Sequence, residues 1–233
     1  MKYPYQTKRL FVSDKAVDIF TCEQDDCPVV YLNTFQEEGE HIFRALQAAC
    51  SPPLSLVAIS GLDWERDMTP WEIPPIFKGD TSCSGGADDY LSILTEKIVP
   101  AAEREIGSVL WRGIAGYSLA GLFALYALYC TDIFSRAASV SGSLWYPHFL
   151  DYALSHQMKR IPDRLYLSLG DKESKTKNPY LKTVQKNTEE LAEFYQRQNI
   201  HNGISAKRRQ SLCQRNGENG SRPSVAFGKT VTE

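Results

Sequence analysis

Six consecutive residues, Gly116-Tyr117-Ser118-Leu119-Ala120-Gly121, have the types and spacing for nucleophilic chemistry. A serine hydroxyl attacks a carbonyl well only when a sharp strand-to-helix turn presents it to the substrate and a base takes its proton. Small residues are needed two places before and two places after the serine, because larger side chains would collide as the chain folds back. Gly116 and Ala120 stand at those places, with Ala one methyl group larger than the usual Gly, and Gly121 follows directly. The competing reading is a serine in an ordinary strand-helix connection. The flanks argue against it: residues 111–117 read as a short buried strand and 119–130 as an almost unbroken apolar helix, as suits a helix packed behind a nucleophile. Ser118 is the candidate nucleophile of an acyl transfer.

Attack by Ser118 would place negative charge on the carbonyl oxygen, which calls for two N–H donors. One is the amide of Leu119, the residue after the nucleophile. The other comes from the loop after an early strand, Asn33-Thr34-Phe35, where Thr34 and Phe35 are both candidates. A carboxylate after a later strand would orient the base and stabilise its cationic form. Gly170-Asp171-Lys172-Glu173 follows the strand-like run 164–169 and offers Asp171 and Glu173. A solvated, lysine-rich turn is the alternative for both carboxylates, and it weighs more on Asp171. Of the four histidines, His41, His148, His156 and His201, only His201 follows the acid in the order serine, acid, histidine. It lies at the end of a helical run, where a surface or capping role is the simpler reading.

These groups need a scaffold, and the periodicity of the chain supplies one. Residues 9–12 and 16–21 read as an N-terminal hairpin, 28–32 as a strand, 38–50 as an amphipathic helix and 54–60 as a buried strand. A long irregular loop runs to Gly85. Apolar residues at helical spacing then cover 87–106, with Pro100 set to kink the helix or begin a second segment. Beyond the nucleophile segment come a strand at 137–141, a helix at 146–156, a strand at 164–169 and a helix at 178–198. Strands separated by helices pair in parallel through right-handed crossovers, so the expected fold class is α/β, a mostly parallel sheet flanked by helices.

Four blocks now stand in order: Arg66-Asp67-Met68-Thr69-Pro70, Gly85-Gly86-Ala87-Asp88-Asp89-Tyr90-Leu91, the elbow with its strand from Gly113, and Ser139-Val140-Ser141-Gly142-Ser143-Leu144-Trp145. Together they resemble the successive blocks of the putative esterase family of α/β-hydrolases, which includes esterase D-like and siderophore esterases. The resemblance spans roughly residues 10 to 200 and is far more specific than the elbow alone. It implies an α/β-hydrolase fold, hydrolysis of a small acyl ester or siderophore ester, and no cofactor or metal. It favours Glu173 over Asp171, because relatives carry a G-x-x-E arrangement. It also implies a histidine in a Gly-Asn-His-Phe type context beyond the last strand, and none of the four histidines has that context.

Length and charge agree with one domain of this kind. The 233 residues suffice for a single α/β core, and a net charge of −2 provides no electrostatic footprint for nucleic acid or an anionic membrane. With no apolar leader and no run near the ~20 residues of a membrane span, a soluble, cytoplasmic protein with a small-molecule ester partner is expected. The oligomeric state is left open. Six cysteines without C-x-x-C or metal spacing are expected as reduced thiols.

The C-terminal part breaks the pattern. From about Asn202 neither period persists, so the esterase domain is expected over 1–200, followed by an aberrant tail at 201–233 that reads as disordered and leaves the sheet incomplete at the C-terminus. With permissible codons, the bases for Gln210-Ser211-Leu212-Cys213, read one nucleotide later, spell Asn-His-Phe-Val and continue through an amphipathic stretch to a stop. The preferred reading is therefore a frameshifted, truncated hydrolase whose activity is impaired. The other class kept open is a non-catalytic binding or scaffold protein that retains the pocket.

Overall fold

The computed structural model describes residues 3–76, 81–200 and 202–207, the last segment as backbone. The hairpin is formed by β1 (Tyr5–Val12) and β2 (Lys15–Cys22), joined through Ser13 and Asp14, both at positive φ. Two successive left-handed residues match the right-handed twist of the strands they connect. Next come β3 (Val29–Asn33), α1 (Gly39–Ala48) and β4 (Ser55–Ser60). Every residue of β3 and β4 is buried, which is why these strands read as continuous apolar runs and not as alternations.

The irregular stretch after β4 holds short elements that periodicity could not reveal: α2 (Trp64–Asp67) and a small ribbon of β5 (Glu72–Ile73) and β6 (Cys83–Ser84). The expected helix over 87–106 is three segments, α3 (Ala87–Ile93), a π-helical turn (Leu94–Ile98) and α4 (Val99–Ile106). Pro100 begins the last of these, in the first turn, where its missing N–H costs nothing. The order then runs β7 (Arg112–Tyr117), α5 (Leu119–Cys130), β8 (Arg136–Val140), α6 (Phe149–Ser155), β9 (Arg164–Gly170), a 3-10 turn (Leu181–Thr183), α7 (Val184–Arg197) and β10 (Asn202–Lys207).

Eight strands make one sheet in the order β1-β2-β4-β3-β7-β8-β9-β10. β2 runs antiparallel to both its neighbours, and β4, β3, β7, β8, β9 and β10 are mutually parallel. The C-terminal ends of six strands thus share one edge. Two apolar clusters lie on opposite faces of the sheet. The larger gathers α3 to α7, and the smaller is centred on Phe43 of α1, whose ring stacks on Phe20 of β2 at 4.8 Å.

β10 corrects one expectation. The stretch from 202 reads as aperiodic, yet Asn202–Lys207 pairs residue for residue with 165–170 of β9. Its alternation, Ile204 and Ala206, is too brief to stand out, and an edge strand is held by its backbone ladder when a neighbour offers free N–H and C=O groups. The sheet therefore reaches Lys207, and the rest of the expected tail, 208–233, lies outside the described residues.

An ionic anchor holds the loop after β4 to the hairpin. Asp67, almost fully buried, accepts from Lys15 Nζ at 2.7 Å, from Arg66 at 2.9 Å and from the Asp63 amide at 3.0 Å. Arg66 also reaches Asp89 at 2.6 Å, tying the loop to α3. Replacing Lys15 by Met would leave the Asp67 carboxylate buried with one cation fewer. Urea unfolding should register a loss of about 3–5 kcal/mol.

Candidate active site

β7 stops at Tyr117, and the backbone turns at once into α5 through Ser118, which has φ 54° and ψ −125°. A side-chain-bearing residue adopts such a conformation only when its surroundings enforce it. The Ser118 N–H donates to Val140 O at 3.2 Å, and its carbonyl accepts from Gly121, Leu122 and Ser143 amides at 3.0, 3.2 and 2.9 Å. A Cβ at Gly116 would lie 2.4 Å from the Ala120 carbonyl carbon and 2.6 Å from its methyl. Position 120 can therefore carry Ala because position 116 carries nothing. One turn further on, a Cβ on Gly121 would come within 2.9 Å of Gly142 Cα, so the start of α5 and the loop after β8 are in backbone contact. α5 is buried along nearly its whole length, which explains why its sequence is apolar on every side.

Ser143 joins the site without having been singled out. Its Oγ lies 3.4 Å from Ser118 Oγ, and its side chain is almost completely buried. In the sequence it was one residue of the block 139–145. The available signal was a run of small residues just after a strand that ends at the same edge.

The two candidates in the early loop are now distinguishable. The Thr34 N–H and hydroxyl both donate to Ile59 O at 2.9 Å, so the Thr34 amide is engaged within the sheet. No acceptor among the described residues takes the N–H of Phe35 or of Leu119. The Phe35 ring is half exposed and stands edge-on to Trp64 at 5.3 Å, and Trp64 lies 5.6 Å from Tyr117. The three rings pack in series next to Ser118, with Trp64 buried and Phe35 at the exposed end. Behind the loop, Asn33 is fully buried and its Oδ1 accepts from the Tyr90 hydroxyl.

Asp171 and Glu173 follow β9 directly, at the edge where Ser118 stands. They differ in their surroundings. Asp171 is exposed, whereas Glu173 is half-buried, and its Oε1 accepts from the Gly170 N–H at 2.8 Å while its own N–H returns to Gly170 O at 3.1 Å. This reciprocal pair holds the Glu173 carboxylate against the end of β9.

No hydrogen bond links a described histidine to Ser118 or Glu173. His41 is exposed on α1, and His148 is exposed at the start of α6. His156 packs its ring on Tyr152 at 4.2 Å and is bonded through Nδ1 to Tyr152 O and Ser155 Oγ. His201 lies outside the described residues. Its neighbour Asn202 pairs with Leu165, five residues before Gly170, so β10 starts roughly 17 Å from the edge that carries Ser118. The other end of β10, Lys207, pairs with Gly170 at the edge that carries Ser118.

Strand order, the single reversed strand β2 inside the sheet and the strained turn after a central parallel strand define an α/β-hydrolase. Within that class, the family profile described as "Putative esterase" matches residues 23–215, and the chain belongs to that family. It is 27% identical over 183 residues to the uncharacterized protein YbbA of Bacillus subtilis, a match that covers 74% of this chain and 72% of YbbA. Among solved structures, an IroE-like serine hydrolase from Shewanella oneidensis superposes with a TM-score of 0.70 at 22% identity, over 88% of this chain and 73% of that one. The siderophore hydrolase EstA from Aspergillus nidulans gives 0.68 at 19% identity, over 88% and 87%. At such identities the structures speak for the fold, and the family membership speaks for hydrolysis of esters.

The close approach at the elbow is directly testable. Gly116→Val should destabilise the domain by at least ~2 kcal/mol through overpacking against Ala120, read as a lowered urea midpoint. Leu122→Met, a change of shape at nearly constant volume on the same helix, should stay below about 1.5 kcal/mol.

Proposed function

We propose that this protein is built as a serine carboxylic ester hydrolase acting on a small-molecule ester, of the small acyl or siderophore type. The observation that carries this reading is the strained backbone of Ser118 at the β7–α5 turn, with two amides at the same edge that no acceptor among the described residues takes. In this reading Ser118 Oγ attacks the ester carbonyl carbon as an imidazole takes its proton. The amides of Leu119 and Phe35 receive the developing oxyanion, and collapse of the tetrahedral intermediate expels the alcohol, which takes the proton back. Water then attacks the acyl-enzyme with the same base. Glu173, prepositioned by Gly170, is the preferred acid, and Ser143 lies beside the nucleophile hydroxyl. The half-exposed ring of Phe35 suits an ester with an aromatic or apolar group. Among the described residues no helix is long and apolar enough to cross a membrane.

The imidazole is the missing part. The C-terminal end of β10, at Lys207, is at the edge where a base must come, and residues 208–233 contain no histidine. The one-nucleotide shift puts Asn-His-Phe at 210–212, a few residues beyond that strand. We therefore propose that the tail is a frameshift product and that this chain is an impaired member of its family. The absence of a histidine there also favours the second reading, a binding or scaffold protein in which Ser118 is a relic.

Comparing this chain with a version carrying the one-nucleotide correction separates the readings. On a short-chain aryl ester the corrected chain should turn over roughly 10⁴- to 10⁶-fold faster, the scale on which loss of a triad base acts. Its rate should rise with pH through about 6.5, as a catalytic imidazole loses its proton. Ser118→Ala should abolish both turnover and labelling by a fluorophosphonate. Equal turnover by the two chains would defeat the frameshift proposal, and no turnover by either would favour the binding protein.

The acid is assigned by a second pair of variants in the corrected chain. Glu173→Gln should lower kcat about 10⁴-fold, as loss of a triad carboxylate does elsewhere, while Asp171→Asn should leave it within a few-fold. The opposite pattern would transfer the role to Asp171.

A further inference from the structure

Cys22 and Cys27 are separated by four residues and match no redox or metal motif, yet the fold brings their thiols into contact. Cys22 is the last residue of β2 and Cys27 lies just before β3; both are buried, and their Sγ atoms are 2.7 Å apart. Unbonded sulfurs ordinarily stand farther apart than this, and a covalent bridge would shorten the separation to about 2.05 Å.

Each cysteine is held independently of the other. Cys22 pairs with Tyr5 of β1, and its N–H donates to Ser55 Oγ at 3.0 Å. The Cys27 carbonyl accepts from the Leu110 N–H at 3.3 Å. The intervening residues, Glu23 to Asp26, are exposed, and Asp26 takes a positive φ and accepts from Ser108 Oγ at 2.8 Å. Bond formation thus calls for a small side-chain rotation, with the strands on either side left in place, and the exposed loop is the route by which a reagent arrives.

We propose that Cys22 and Cys27 form a dithiol–disulfide couple, a modification site that accepts oxidising equivalents from a small-molecule disulfide. One cysteine, as thiolate, attacks a sulfur of the small disulfide; that S–S bond breaks and one thiolate leaves. The second cysteine then attacks the protein sulfur of the mixed disulfide and expels the other thiolate. The two protons lost by the protein thiols balance the two thiols released, so the protein is oxidised by two electrons and the small disulfide is reduced. Burial, with Cys22 alongside, pushes the Cys27 thiol up to about 12. Exchange should therefore be slow near neutrality and quicken as pH rises. In a reducing compartment the couple stays open, which accommodates the expectation of reduced thiols. Once closed, the bridge ties the end of β2 to the entrance of β3 and limits the freedom of that loop in the unfolded chain.

The test uses the full chain with bis(2-hydroxyethyl) disulfide at pH 8.5, once on the folded protein and once during refolding from urea. Remaining thiols are then alkylated and peptides are mapped without reduction. The expected result in at least the refolding arm is a Cys22–Cys27 linkage that escapes alkylation and lowers the peptide mass by two hydrogens. The oxidised protein should melt a few °C higher than the reduced one, a difference erased by dithiothreitol and absent in Cys22→Ser. Alkylated Cys22 and Cys27 in both arms, alongside complete conversion of exposed Cys50 to its mixed disulfide, would overturn the proposal. So would bridging of either residue to a different cysteine.

Discussion

Backbone must touch backbone where β7 turns into α5, and the rest of the structure is arranged around that contact. The turn closes only if Gly116 presents no side chain to Ala120 and if Gly121 can lie against Gly142. Ser118 is thereby held in a conformation that a residue with a side chain would leave if it could. Four backbone hydrogen bonds, from β8, its following loop and the first turn of α5, keep it there. The turn projects the Ser118 hydroxyl from the edge of the sheet, at the N-terminal end of a helix whose dipole favours negative charge. In the function proposed above, substrate, donors and acid are arranged about that fixed point.

Parallel pairing gathers the remaining groups. Because β3, β7, β8, β9 and β10 run the same way, their C-terminal ends share one edge, and residues far apart in the chain are brought to the same end of the sheet. Phe35 arrives from β3, Ser118 from β7, Ser143 from β8, and Glu173 from β9. The same geometry limits the choice of base. The N-terminal end of β10, at Asn202, lies at the far end of the sheet from Ser118, and its C-terminal end, at Lys207, lies beside Gly170. The loop between β4 and α3 has no regular frame of its own; the buried Asp67 and its partners Lys15 and Arg66 secure it, and Arg66 carries the connection on to Asp89.

Family membership and chain chemistry point in different directions. Membership in the putative esterase family brings ester hydrolysis with it. The residues that follow β10 lack the imidazole that such chemistry uses. In the proposed reading the fold persists without the catalytic imidazole, because the elbow and the sheet are stabilised by packing and backbone hydrogen bonds that do not involve it.

How much of this could be read from the amino acids depends on whether the information was local. The spacing around Ser118, the apolar run of α5 and the buried strands β3, β4 and β7 were legible, because sterics at a tight turn and burial on both faces leave direct marks on residue type. Segments such as α2, β5 and β6 were not, being too short to show a period. β10 was misread for a related reason: its alternation, Ile204 and Ala206, is too brief to stand out, and the backbone edge of β9 makes it a strand. Nothing local distinguished Thr34 from Phe35 or Asp171 from Glu173. The hydrogen bond from Thr34 to Ile59 and the one from Gly170 to Glu173 separate their surroundings, and both depend on how strands and turns come together. Ser143 beside Ser118, and Cys22 against Cys27, are likewise products of packing. Sequence alone determined which residues could do chemistry and which runs would bury; the tertiary structure decided which of them meet, because proximity across a sheet edge depends on strand order and direction, which no short segment encodes.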